Sequence, residues 1–212
     1  MRIKHIIWDW NGTLLDDRWL CVEAINTALN KRKISTLTED RYREIFSFPV
    51  EDYYKKVGFD FEKEPFHVPG DEFVEYYEDH FHRVDLHDEV IPVLDRIKGS
   101  SRSQSILSAG KQEFLIEWIK DHGLADYFIK VLGIDNQYAT GKRALGVSWI
   151  NEMQYHPEEV IMVGDTIHDS EVAEAMEIDC VLVSNGHVSQ ERLKTTGRKV
   201  VSDLNEFINV LN

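Results

Sequence analysis

Only two cysteines, Cys21 and Cys180, occur in 212 residues. Two thiols cannot form a disulfide framework or, alone, a structural zinc site. As reduced thiols they predict a cytoplasmic protein. Long apolar runs are also missing. The stretch from Met1 ends in charge at Asp9, so neither a signal peptide nor a membrane span is expected there. No internal repeat or low-complexity segment appears. Basic side chains are outnumbered, 24 against 38 acidic ones, for a net charge of −14. That shortage argues against nucleic acid and anionic membranes as partners, because both need a cationic face.

What remains is ordinary globular material, 42% hydrophobic and 29% charged. The length suits one domain, or one domain with a smaller insert, as a monomer or homodimer. Ile3 to Trp8 reads as an apolar strand that ends on Asp9, and Asn11-Gly12-Thr13 supplies turn chemistry. From about 16 to 85 every segment reads as helix or loop. The pattern predicts helices over 18–32, from the capping spacing Thr36–Glu39 to Phe46, over 51–57, and over 71–83 after the break at Pro69-Gly70. Beyond Leu86, short apolar strands alternate with helices. Strands are expected at 105–107, 128–132, 160–163, 181–183 and 200–201. Such alternation implies an α/β fold, a doubly wound parallel sheet covered on both faces. The expected division is a core of 1–15 and 86–212 and a small all-helical cap of 16–85.

In open parallel sheets the working residues lie at the carboxyl ends of strands. Asp9, Ser108 and Asp165 stand there, with Asp169 shortly after, and Lys142 opens a helix in the same half. Three carboxylates suit a hard cation such as Mg²⁺ together with substrate oxygens. A hydroxyl and an ammonium suit the remaining oxygens of a phosphoryl group. Simpler uses exist for each: Ser108 can cap a helix, Lys142 can be solvated, and Asp165 and Asp169 can serve a turn and a helix cap.

Asp9-Trp10-Asn11-Gly12-Thr13-Leu14 resembles the first motif of the haloacid dehalogenase-like superfamily. Ser108 after Ile106-Leu107 resembles its second, Lys142 its third, and Gly164-Asp165-Thr166-Ile167-His168-Asp169 its fourth. The insert after the first motif is similar to the cap of the branch that includes phosphoglycolate phosphatases and dehalogenases. This resemblance implies a Mg²⁺-dependent phosphohydrolase acting on a small anionic phosphorylated substrate. Asp9 would be the nucleophile that forms an aspartyl-phosphate. Asp9, the backbone carbonyl of Asn11, Asp165 and, through water, Asp169 would hold Mg²⁺. Ser108, Ala109, Gly110 and Lys142 would grip the phosphoryl group, and Thr13 would steady the nucleophile loop. Arg41 and Arg43, among the cap cations, would read a substrate carboxylate or second phosphate.

The sequence departs from that family at Asn11, where most phosphatases carry a general acid. An amide cannot protonate a leaving group at neutral pH, and such catalysis contributes about 10²–10⁴-fold. A good leaving group, such as an acyl phosphate, or a borrowed acid would compensate. His168, Asp16 and Asp17 are available, and nothing in the spacing selects among them. Asn11 also fits a slow or binding-only relative, or a substitution that traps a complex. A dehalogenase would share Asp9 but needs no metal, which the pair Asp165 and Asp169 opposes. A carbon–phosphorus hydrolase resembling the phosphonoacetaldehyde enzyme would need a cap lysine such as Lys31, Lys33, Lys55 or Lys56. His80 and His82, two apart on a helix, do not share a face and read as solvated. Trp8 and Trp10 read as packing residues, with Trp10 close enough in sequence to wall the site.

Overall fold

The structure is a computed structural model that describes residues 3–135 and 141–211. Six strands form one sheet: β1 (His5–Trp8), β2 (Ser103–Lys111), β3 (Lys130–Ile134), β4 (Val160–Gly164), β5 (Asp179–Val183) and β6 (Lys199–Val201). Their order is β3-β2-β1-β4-β5-β6, and every pairing is parallel. Both faces are apolar, as a doubly covered sheet requires. Ile6, Trp8, Ile106, Ile161, Val163, Val181 and Val183 turn to one side. Ile7, Leu107, Met162, Cys180 and Leu182 turn to the other. The alternation is the period of two intrinsic to a strand. His5 is a polar exception, with Gln104, Ser105 and Ser108 of β2. Its ring nitrogens bond Ser103 Oγ at 2.7 Å and Ser105 Oγ at 2.8 Å, and burial lowers its pKa to about 4, so it packs as a neutral ring.

Between β1 and the rest of the sheet lie four helices: α1 (Arg18–Lys31), α2 (Glu39–Ile45), α3 (Val50–Val57) and α4 (His67–His80). Thr38 caps α2 by accepting from Arg41 N, and Gly58, at φ 119°, ends α3. The expected start of the fourth helix at 71 is four residues late. Pro69 stands in the first turn of α4, where its missing N–H has no intrahelical acceptor to lose. The ends of this helical segment are stitched together. Leu15 and Leu86 form an antiparallel bridge, Asp16 N donates to Asp85 O at 2.9 Å, and His87 N donates to Leu14 O at 3.0 Å.

Six more α-helices follow among the described residues: α5 (Val90–Lys98), α6 (Gln112–Asp121), α7 (Lys142–Glu152), α8 (Ile167–Ala175), α9 (Gln190–Lys194) and α10 (Leu204–Leu211). Trp8 is fully buried against Phe207 of α10 and donates to Gln104 Oε1 at 3.0 Å. The strand order reverses at β1, between β2 and β4. Crevices for ligands in such sheets open at that point, outside the carboxyl ends of the strands. No helix among the described residues is long and apolar enough to cross a membrane.

Candidate active site

Trp8 is level with Val163 in the β1–β4 register, and Asp9 N donates to Val163 O at 2.8 Å. Asp9 therefore emerges beside Gly164 and Asp165 at the reversal point. The turn after Asp9 is shaped by Gly12 at φ 75°. A Cβ there would lie 2.4 Å from Asp165 Oδ2 and from His187 Cδ2, so only glycine fits. Across the site, Thr166 caps α8 in a box: Asp169 N donates to Thr166 Oγ1, and Thr166 N returns a bond to Asp169 Oδ2 at 2.9 Å. The box pins Asp169 toward the centre.

Lys142, first residue of α7, sends its ammonium between the carboxylates. Nζ lies 2.5 Å from Asp9 Oδ1 and 2.5 Å from Asp169 Oδ1. Carboxylate oxygens of Asp9, Asp165 and Asp169 lie within 4.8 Å of one another, and all three residues are buried. Thr13 Oγ1 donates to Asp165 Oδ1 at 3.0 Å and lies 3.4 Å from Asp9 Oδ2. His187 N donates to Asp165 Oδ2 at 2.6 Å. Burial, reinforced by Asp169 and Asp165, pushes the Asp9 pKa well up, against the opposing pull of Lys142. Burial opposes the Lys142 charge, but Asp169 and Asp9 outweigh it and raise that pKa. Burial also opposes ionisation of Asp169, yet Lys142 and the Thr166 bonds hold its pKa down.

This donor set fits a divalent cation. Three buried carboxylates facing one ammonium lack two positive charges, and hard oxygens are what Mg²⁺ takes. Asp169 already accepts from Lys142, Thr166 and Asp165 N. Its spare capacity is small, whereas Asp9 and Asp165 keep open lone pairs.

Beside this centre is a network around Asp17, one of the candidates for a borrowed acid. Asp17 is fully buried. Its carboxylate accepts from Gly12 N at 2.8 Å, Asn11 Nδ2 at 2.9 Å, Tyr77 OH at 2.8 Å and His187 Nε2 at 3.2 Å. Burial works against its charge, but His187, Asn11 and Tyr77 outweigh burial and hold its pKa at about 2. Asp17 therefore stays ionised and is no proton donor near neutrality. Burial likewise opposes the charge on His187, but Asp17 raises its pKa to about 9. The other ring nitrogen, Nδ1, lies 3.0 Å from Tyr42 OH. Asn11 spends both amide hydrogens, on Asp17 and on Tyr77 OH at 3.0 Å.

A cavity of about 230 Å³ opens onto Asp9, Asn11, Lys142 and Asp169. Ala109 and Gly110 line it; Ser108 and Thr13 do not. Ser108 is buried and accepts from Gly110 N at 2.9 Å, so its hydroxyl holds the turn. Arg41 and Arg43 are not brought to the cavity. Arg43 donates to Ser184 O at 2.5 Å and to Val188 O at 3.5 Å, because the loop after β5 offers carbonyls that need donors. Arg41 is exposed. His168 lines the cavity, tilted over Phe48 at 4.8 Å. Trp10 is buried beside His122, away from the lining.

Most of the wall is aromatic. Ring centroids run from Tyr42 to Phe46 at 5.0 Å, Phe46 to Tyr53 at 5.3 Å, Tyr53 to Tyr54 at 5.7 Å, and Tyr54 to Phe66 at 5.3 Å. The available signal was density: eleven aromatic side chains lie between 42 and 77. For His187 and Asp17, 170 positions apart, there was no local signal.

At the point where the parallel sheet reverses, a carboxylate, an ammonium and an acidic pair thus meet in one buried cluster. The model of the haloacid dehalogenase-like hydrolases matches residues 6–183, and the chain belongs to that family. It is similar to a phosphoglycolate phosphatase of Vibrio parahaemolyticus, 23% identical over 99% of this chain and 96% of that one. A phosphoglycolate phosphatase of Vibrio vulnificus is 27% identical over 46% of this chain. That match spans 43% of the length of the Vibrio vulnificus protein, less than half of it. Among solved structures, a haloacid dehalogenase-like family hydrolase from Streptococcus pneumoniae superposes with a TM-score of 0.84 at 17% identity, covering 99% of both chains. A hydrolase from Pseudomonas syringae gives 0.75 at 20% identity, covering 98% of this chain and 97% of that one. At these identities the likeness is one of fold.

Proposed function

We propose that the protein is a Mg²⁺-dependent phosphohydrolase that works through an aspartyl-phosphate on Asp9. One observation carries the reading. The Asp9 carboxylate stands at the carboxyl end of the central strand, 2.5 Å from the Lys142 ammonium and within 4.8 Å of Asp165 and Asp169 oxygens. Asp9, the backbone carbonyl of Asn11 and Asp165 would hold the cation, with Asp169 acting through water. When bound, Mg²⁺ neutralises the phosphoryl oxygens and the surplus carboxylate charge.

In the first step an Asp9 oxygen bonds to phosphorus, and the bond from phosphorus to the leaving oxygen breaks. The electron pair leaves on that oxygen. In the second, water adds to phosphorus and the acyl-phosphate bond opens, returning the Asp9 carboxylate and releasing phosphate. Lys142, held ionised by its two carboxylates, screens Asp9 from the incoming anion. Ala109 and Gly110 line the phosphoryl end of the cavity, where the Gly110 N–H is spent on Ser108 Oγ. Asn11 provides no proton, and neither does ionised Asp17; His168, the borrowed-acid candidate that lines the cavity, is turned to Glu171 at 3.3 Å. The site therefore suits substrates whose leaving oxygen departs as an anion, among them acyl and aryl phosphates. Residues 16–85 would act as the cap. The two buried free thiols, Cys21 and Cys180, support a cytoplasmic setting.

Asn11 also supports a second reading, a phosphate-binding relative without turnover. The carbon–phosphorus alternative loses support. Lys31 pairs with Glu72, Lys55 with Glu51, Lys56 bonds Ser47, and Lys33 is exposed; none lines the cavity. Hydrolysis of p-nitrophenyl phosphate with and without Mg²⁺ tests the proposal. The expected result is Mg²⁺-dependent turnover that Asp9→Asn abolishes. Silence with Mg²⁺ and other divalent metals would leave the binding-only reading.

A further inference from the structure

We propose, resting on the phosphohydrolase reading, that the substrate's leaving group is an apolar, ring-sized alcohol or phenol and not a small carboxylate such as glycolate. The cavity lining is of two kinds. Asp9, Lys142 and Asp169 are its charged part, and Phe46, Phe48, Tyr54, Phe66, Phe73 and Trp118, with further aromatic neighbours, make up most of the rest. A group that leaves phosphorus departs among these rings.

A carboxylate there would need a cation, since burying an unpaired charge is strongly unfavourable. Among the described residues the lining offers few. Lys142 is committed to Asp9 and Asp169. Lys111 lies 3.4 Å from Glu113 and 4.9 Å from the Phe114 ring centroid. His187 is paired with Asp17, and His168 lies 3.3 Å from Glu171. Glu78 adds an acid to the same wall, its pKa raised by burial. Arg41, Arg43, Lys55 and Lys56 all lie outside the lining. Charge thus opposes a carboxylate, and ring surface favours an apolar body.

The size agrees. An apolar cavity of about 150 Å³ in another protein accepts benzene. A volume of about 230 Å³ holds one ring beside a phosphoryl group. The observed lining also meets the missing acid at Asn11, because a phenol departs as an anion more readily than an alkanol.

The test separates binding from leaving-group chemistry. Calorimetry on the intact protein with Mg²⁺ compares three stable phosphonates: methylphosphonate, benzylphosphonate and phosphonoacetate. Benzylphosphonate is expected to bind at least ~10-fold tighter than either of the others, from the apolar area of one ring. Phe73→Ala should cut that preference at least ~3-fold and leave methylphosphonate within about twofold. Val50→Lys, which puts a cation in the wall, should raise phosphonoacetate affinity. If phosphonoacetate binds as tightly as benzylphosphonate or tighter, the proposal is overturned while the phosphohydrolase reading stands. If no phosphonate binds and acetyl phosphate is not hydrolysed, the phosphohydrolase reading falls, and this proposal with it.

Discussion

The floor of the cavity and its walls are held together in opposite ways. The floor is made of ionised groups, each with several partners: Lys142 between Asp9 and Asp169, and Asp17 among Gly12, Asn11, Tyr77 and His187. The walls are rings packed on rings, from Tyr42 through Phe46, Tyr53 and Tyr54 to Phe66. The charged groups of the floor come from the end of β1, the turn before α1 and the first turns of α7 and α8, and most of the wall comes from the helical segment after β1. A floor of this kind fixes chemistry and tolerates little change. A wall of this kind fixes which molecule fits and tolerates exchange at constant volume.

Breaking the floor should give the largest effects. Asp9→Asn keeps the shape and removes the nucleophile, so turnover of p-nitrophenyl phosphate should fall by at least ~10³-fold. Unchanged melting behaviour would show that chemistry alone was lost. Lys142→Met goes further, because it strands buried carboxylates without their counter-charge. Removing one partner of a buried ion pair costs about 3–5 kcal/mol. Urea unfolding should show that loss together with a collapse of turnover. A Lys142→Met protein as stable as the parent would mean that the floor does not depend on the ammonium.

The two regions also differed in how far they could be read in advance. The floor was largely legible. Asp9, Asp165 and Asp169 stand next to apolar strands whose ends a parallel sheet must bring together, so position along the chain implied position in space. Lys142 followed from the same half of the sheet. The Asp17–His187 pair was not legible, since it joins residues 170 positions apart with no motif around either. Arg43 misled for a different reason. Charge counting near a cap suggests a substrate reader, but it omits backbone carbonyls, and Ser184 O and Val188 O are what Arg43 satisfies. The start of α4 was misplaced because Pro69 looks like a break until its place in the first turn is known. The wall was visible only as a local excess of aromatic residues, which does not by itself distinguish a cavity from a core.

Asn11 sits where the two regions meet, and substitution there sharpens the comparison. Its amide donates to the Asp17 carboxylate at 2.9 Å. Asn11→Asp would set two carboxylates against each other, and the like charge raises the pKa of the new group above its unfolded value of about 3.9. The folded state then holds a proton that the unfolded state releases. The penalty is absent below about pH 4 and grows as pH rises toward the folded pKa. Stability of Asn11→Asp should accordingly match the parent at pH 4 and fall about 2 kcal/mol below it at pH 8. The double variant Asn11→Asp with Asp17→Asn restores a donor–acceptor pair with the acid moved to position 11. Its kcat on an alkyl phosphate should rise about 10²-fold over the parent. No rise would mean that leaving-group protonation is not what limits this site.

Single hydroxyls separate floor from wall most cleanly, and the smallest effect of all is expected at Tyr53. Tyr77 and Tyr53 are both buried and both line the cavity. The Tyr77 hydroxyl donates to ionised Asp17 and accepts from Asn11. Among the described residues, the Tyr53 hydroxyl is buried without a hydrogen-bond partner. Deleting an oxygen bonded to a charged group costs about 1.5–3 kcal/mol, whereas deleting an unsatisfied one relieves a desolvation cost. Tyr77→Phe should therefore lower the urea midpoint clearly. Tyr53→Phe should leave it unchanged or raise it by up to about 1 kcal/mol equivalent. Equal losses would mean that Tyr53 has a partner in solution, and that the wall, like the floor, relies on polar pairing.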